Sequence, residues 1–397
     1  MLKLMKLFKS KTKRTNPFNT RPGMLPVVFE GRDSEIRTLK EAIEGLGSEE
    51  PNPTLIILYG PRGNGKTTLL SHILKHTKSI NKELKTTNEV TTIYATPSQC
   101  AVENLYQKIT GGQMHIESTK SESVKGGVKA IVQGEVAGAS IKVYGSPASD
   151  YYEVLKRATE DQPTLLCIDE AHTMGVNDLR DLFQCAQQCL MERLPISIVL
   201  AGTPGLITTI GASGATFAPR YDVITLGRLN TESARRVFEE PLKSDHQEVP
   251  AQQLKEVIEK AQNYPFFLQI YGRETWERCV ADGQSIESQD VWKEIHEAFE
   301  VRKTRMYYER YTEMESTGTL DIAYEISMLF EKQDQIQEGW LIDKLRTDGY
   351  ENVNENVQAL KSLGYVWSPE GSPGYLECGI PSLMDYVRTY TEDRRNN

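Results

Sequence analysis

The sequence contains no run approaching the roughly 18 consecutive apolar residues that a membrane-spanning helix needs. Its opening stretch, MLKLMKLFKSKTKR, is interrupted by lysines throughout, so it offers no apolar h-region for export. Cysteine is sparse and irregular: Cys100, Cys167, Cys185, Cys189, Cys279 and Cys378 form no Cys-x-x-Cys pair and no disulfide framework. Cys185 and Cys189 lie four apart on an apparent helix and are read as packing residues. Positive charge is not in excess either. With 46 Lys and Arg against 55 Asp and Glu, the net charge of −9 excludes a chain that coats nucleic acid with its whole surface. Internal repeats, nuclease-like carboxylate and lysine clusters and thiol–histidine pairs are all lacking. The expectation from these absences is a reduced, cytoplasmic protein.

What is present is an alternation of short apolar runs with helical periodicity, in a chain of 397 residues that is long enough for two or three cores. Residues 1–14 carry six basic side chains and no acidic ones, which suits either a solvated tail or contact with an anionic surface. Residues 36, 39, 43 and 46 are apolar at helical spacing. TLIILYG, VTTIYAT, TLLCIDE, ISIVLAGT and YDVITLG then read as buried strands, with helical stretches between them. That order predicts a parallel sheet covered on both faces. Residues 111–147 break the rhythm with Gly, Ser and Lys, and KAIVQGEV with ASIKVYG could pair as a hairpin in an exposed insertion. After residue 229 the pattern turns helical. Near the end, LKSLGYVWSPEGSPGYLECGI reads as helix, strand, Gly/Pro turn and strand, the outline of a winged helix.

GPRGNGKT, residues 60–67, fits G-x-x-x-x-G-K-S/T between an apolar strand and an apolar helix. Glycines at these positions let backbone N–H groups turn inward around a phosphate, and the helix N-terminus adds its dipole. Gly60, Pro61, Arg62, Gly63, Asn64, Gly65, Lys66, Thr67 and Thr68 are therefore candidate ATP- or ADP-binding residues. Lys66 would bridge the β- and γ-phosphates, and the Thr67 hydroxyl would ligate Mg2+. Asp169 and Glu170 close a buried strand about a hundred residues on, where Asp169 would hold the hydrated Mg2+ and Glu170 would orient or deprotonate the attacking water. Thr203, ending the ISIVLAGT strand, could reach the γ-phosphate or that water. His172 is read either as a γ-phosphate sensor or as a structural histidine.

These strand ends resemble the AAA+ ATPases, within them the initiator-like, origin-recognition-like clade, and are similar to the signal-transduction ATPases with numerous domains. The resemblance covers nearly the whole chain. VVFEGRDSEI resembles the element that packs on adenine, implying Gly31 and Arg32 there, and NYPFFLQIYGRETW resembles a lid segment, implying that Pro265 approaches the nucleotide. Asn263 departs from the family's glycine, and the usual lid arginine is replaced by the Pro265 segment, with Arg273 two turns on. That departure implies a slow, switch-like ATPase. Arg220, before the last strand, falls where relatives supply an arginine to a neighbouring subunit's γ-phosphate; a surface arginine is the alternative.

The resulting expectation is an α/β P-loop NTPase, an αβα sandwich with a parallel sheet, a helical lid and a C-terminal winged helix. Its segments are 1–25 (tail and arm), 26–228 (core), 229–301 (lid) and 302–390 (winged helix). The expected function is an ATP-hydrolysing switch that forms a homo-oligomer in the ATP state and acts on a protein client or effector. One alternative is a DNA-binding initiator or loader; another is a nucleotide-locked scaffold. Residues 302–397 hold 11 Lys and Arg against 17 Asp and Glu, a balance of 11 − 17 = −6, which weighs against simple DNA contact by that segment.

Overall fold

The apolar runs become strands of one parallel sheet in the computed structural model, which describes residues 15–21, 23–100, 131–136, 139–144, 147–160, 162–214 and 221–396. In chain order the first elements are α1 (Asp33–Leu46), β1 (Leu55–Tyr59), α2 (Lys66–Leu84) and β2 (Thr91–Ala95). There follow β3 (Ile131–Val136), β4 (Ala139–Tyr144), α3 (Pro147–Thr159), β5 (Thr164–Ile168) and α4 (Val176–Met191). Next come β6 (Ile196–Gly202), α5 (Gly205–Ala212) and β7 (Asp222–Thr225). The sheet order is β2-β5-β6-β1-β7, and every pairing in it is parallel. The central strands β1, β5 and β6 are apolar at almost every position because both of their faces are covered. Leu55 and Ile57 of β1 join Leu166, Ile198, Leu182 and Phe183 in the core under α3, α4 and α5. Leu39 and Ile43 of α1, with Leu69 and Ile73 of α2, are fully buried on the remaining helices of the sheet. β3 and β4 pair antiparallel as the expected hairpin.

The chain divides into two compact units, and their boundaries differ from four consecutive segments. The first comprises the N-terminal residues through Gly31 together with Arg228–Glu309. It contains α6 (Thr231–Ser244), α7 (Ala251–Ala261), α8 (Pro265–Trp276) and the first part of α9 (Gln289–Ser316). Its core is aromatic: Tyr271 stacks on Phe299 at 3.9 Å, and Phe267 meets Phe299 edge-on at 5.4 Å. The expected arm docks here, with Asn19 N donating to Gln269 Oε1 at 2.9 Å and Phe18 buried. Gly272 is required beside it, since a Cβ there would lie 2.1 Å from the Phe18 ring.

The second unit comprises Arg32–Gly227 and Arg310–Asn397, so the C-terminal segment clusters with the sheet. It adds α10 (Leu320–Phe330), β8 (Ile336–Gln337), α11 (Glu338–Thr347), α12 (Val353–Ser362), β9 (Val366–Trp367), β10 (Tyr375–Cys378) and α13 (Leu383–Asn396). Its strands form a small antiparallel sheet in the order β8-β10-β9. The sequence boundary at 301/302 falls inside α9, a 28-residue helix, whereas the division between the units falls at Glu309/Arg310.

Candidate functional site

The P-loop joins β1 to α2 by two left-handed glycines, Gly63 at φ +78° and Gly65 at φ +93°, a conformation that only glycine adopts without strain. Gly60 is needed for a different reason: a Cβ would sit 2.2 Å from the Leu226 carbonyl oxygen that follows β7. Lys66 begins α2 and is 8% exposed. Its ammonium donates to the carbonyls of Gly60 at 2.7 Å and Pro61 at 2.9 Å, and no carboxylate lies within ion-pair distance among the described residues. Burial pulls its pKa down to about 8, against the opposing pull of Glu170 and Asp169. A buried cation resting only on carbonyls is matched to an incoming polyphosphate.

Asp169 follows β5 and is 1% exposed. The Thr67 hydroxyl donates to Asp169 Oδ2 at 2.6 Å, and Glu170 N donates to Asp169 Oδ1 at 2.9 Å. This hydroxyl–carboxylate pair is a hard oxygen donor set of the kind Mg2+ takes. Tyr94 of β2 also donates to Asp169 Oδ2, at 3.0 Å; burial first and the carboxylate second push the phenol's pKa upward. Glu170 occupies the left-handed region at φ 55°, ψ 28°, uncommon for a non-glycine residue. Its side chain is 55% exposed and its Oε2 lies 3.5 Å from His172 Nε2.

Thr203 follows β6, the strand between those carrying the P-loop and Asp169. It is 1% exposed, and its hydroxyl donates to the Ser362 carbonyl at 2.6 Å, so it reaches a phosphate only after leaving that partner. The same close approach places Ser362 2.3 Å from where a Gly205 Cβ would stand. Arg62 lies 3.8 Å from Glu313. The C-terminal segment thus packs directly on the P-loop and β6 within its unit.

Arg32 is 6% exposed, and its guanidinium donates to the carbonyls of Asn64 at 3.1 Å and Gly227 at 2.7 Å. It props the P-loop against the backbone after β7. Asn64 donates to the Leu226 carbonyl while its Oδ1 is buried without a hydrogen-bond partner, an acceptor matched to a ligand donor. Gly31 and Pro265 belong to the helical unit. There Gly31, at φ +72°, is required because a Cβ would meet Ser233 Oγ at 2.6 Å, and Pro265 opens α8. Thr68 is half-buried in α2. Arg273 is paired with Glu277 at 3.0 Å. Arg220 lies outside the described residues. Tyr94, Glu313 and Ser362 were not found by sequence reasoning, because each acts across a long chain separation with no local spacing to mark it.

Residues 28–200 match the model of the AAA ATPase domain family. No curated protein matches the chain. Among solved structures, the chain is similar to a Walker-type ATPase of Pyrococcus abyssi, at 15% identity over 94% of this chain and 99% of that one, with a TM-score of 0.59. It is also similar to the Aeropyrum pernix ORC2 protein in its ADPNP–ADP complexes, at 15% identity over 94% and 98% of the two chains and a TM-score of 0.54. These likenesses show a shared P-loop NTPase fold, and no helix among the described residues is long and apolar enough to cross a membrane. The strand ends that gather Lys66, Asp169 and Thr203 thus lie on a P-loop NTPase fold, within or beside the stretch, residues 28–200, that is similar to the AAA ATPase domain family.

Proposed function

We propose that the protein hydrolyses ATP to ADP and phosphate, slowly, and uses the nucleotide state as a switch of its own assembly. One observation carries this reading: neighbouring strands bring the Lys66 ammonium, the hydrogen-bonded Thr67–Asp169 pair, Glu170 and Thr203 to one edge of the sheet. Lys66 would exchange two carbonyls for phosphate oxygens. Thr67 and Asp169 would hold Mg2+, which neutralises phosphate charge when bound. Glu170, exposed beside them, would take the proton of the attacking water. Slow turnover is the reading that fits a lid segment in which Pro265 stands where relatives carry an arginine.

The small sheet and helices of the C-terminal segment would serve as a winged helix docked on the ATPase core rather than as a DNA reader. Its charge balance of −6 supports that choice. A homo-oligomer in the ATP state would then form, with a protein client or effector as its target. The test is the molar mass of the full chain in solution with ADP and with a non-hydrolysable ATP analogue, each with and without duplex DNA. A larger species with the analogue alone supports the switch. A mass that is the same in both nucleotide states refutes it, and a larger species that requires DNA favours the initiator reading.

A further inference from the structure

We propose that His172 is the positioning residue for Glu170: its imidazole is fixed by the backbone at the end of β6 and holds the carboxylate of the general base. The inference rests on the proposed hydrolytic role of Glu170 and adds the means by which that side chain is aimed. Thr203 N donates to His172 Nδ1 at 3.3 Å. An Nδ1 that accepts leaves the ring proton on Nε2 in the neutral imidazole. That nitrogen lies 3.5 Å from Glu170 Oε2. Catalytic contacts of this length are common before substrate binds and shorten in the reacting complex.

Burial separates the two partners. The His172 side chain is 8% exposed and Glu170 is 55% exposed, so the imidazole is the rigid member and the carboxylate the mobile one. An exposed glutamate gives up roughly 1.5–2 kcal/mol of rotamer freedom when it is fixed. A buried donor within reach lowers that cost by favouring one orientation in advance. Space for the imidazole is made by Gly202, whose Cβ would stand 3.2 Å from both Cβ and Nδ1 of His172 and 3.1 Å from its backbone nitrogen. The left-handed turn at Glu170 brings the two side chains, two residues apart, onto one side of the strand end. Burial, with Arg62 and Lys66, keeps the imidazole neutral. A neutral ring suits a donor that orients a base without taking its proton.

The experiment combines steady-state ATPase kinetics, equilibrium nucleotide binding and 15N spectra of the histidine ring in the full chain. His172→Ala is expected to lower kcat by about tenfold with KM and ATP affinity within about twofold, the pattern of a contribution realised in the transition state. His172→Gln, whose amide can still donate to Glu170, is expected to restore most of that loss. His172→Asn, which retains an acceptor for Thr203 N, guards against a folding defect and is expected to behave like the alanine variant. In the nucleotide-free wild type the spectra are expected to show the proton on Nε2, with the Nε2 resonance moving in Glu170→Ala. Unchanged kcat in His172→Ala, a change confined to KM, or a proton on Nδ1 would each overturn the inference. A wild-type rate in Glu170→Gln would instead remove the proposed function beneath it, so the two failures are distinct.

Discussion

The helical unit and the sheet unit both bury charge, and they satisfy it in opposite ways. In the helical unit, Glu274 is 4% exposed and is flanked by Arg278 at 2.8 Å and Arg302 at 2.6 Å. That carboxylate is closed off by cations from its own unit, and removing either side strands the other. In the sheet unit, Lys66 is nearly as buried, but among the described residues its ammonium donates to two carbonyl oxygens and to no carboxylate. The first arrangement holds a fold together. The second leaves a cation desolvated, which is why its pKa is drawn down to about 8, and fits the proposed arrival of a phosphate. Burial alone does not separate the two: Glu274 is in ion-pair contact with its cations, whereas Glu170 and Asp169 act on Lys66 only from beyond ion-pair distance.

The sharpest way to break this contrast is to remove each charge in turn. Glu274→Ala is expected to cost about 3 kcal/mol of stability, as loss of a buried ion-pair partner does, in a denaturant titration, with nucleotide affinity unchanged. Lys66→Ala should do the reverse: about 100-fold weaker ATP binding, or ~2.7 kcal/mol, in a fluorescent-nucleotide titration, with stability unchanged or raised. If Lys66→Ala destabilised the fold and spared ATP binding, the two regions would not differ as described.

Glu170→Gln tests the exposed end of the same site. It is expected to lower kcat by about 100-fold while preserving ATP affinity, since in the proposed reaction the carboxylate acts on water and not on the nucleotide. Thr203→Val is smaller in effect. It removes the hydroxyl that donates to the Ser362 carbonyl, and the expected loss is about 1 kcal/mol in chemical denaturation. Thr203→Ser should retain the bond and the stability.

A pH dependence sharpens the comparison further. Burial, then Arg62 and Lys66, push the His172 imidazole down to about 4 from an ordinary 6.5, against the pull of Asp169, while Glu170 faces its Nε2. As pH falls below 6.5 the unfolded chain takes up this proton and the folded chain does not. Stability therefore declines on this account between pH 6.5 and about 4, and the group adds no slope above 6.5. His172→Asn is expected to flatten that part of a stability–pH curve measured by chemical denaturation.

Much of the sheet unit could be read from local sequence. The five apolar runs are legible because both faces of a parallel sheet are covered, and the P-loop because its glycines and lysine are contiguous. Asp169 and Glu170 are legible because acids at the end of a buried apolar strand are conspicuous. What the sequence hid are contacts between distant segments. Tyr94 reaches Asp169 across 75 residues and Ser362 reaches Thr203 across 159, and neither pair has a spacing that betrays it. Arg32 sits in a motif that suggests adenine, and the motif gives no sign that its guanidinium also holds the backbone carbonyls of Asn64 and Gly227. The expected division at 301/302 falls within α9, a single helix whose sequence carries no signal of a boundary.

The most direct test of the central claim is phosphate release from ATP by the full chain in Mg2+, compared with the same protein in excess chelator and with Lys66→Ala. The account predicts slow release that requires Mg2+ and is lost in the variant. Release at the same rate from wild type and Lys66→Ala would contradict it.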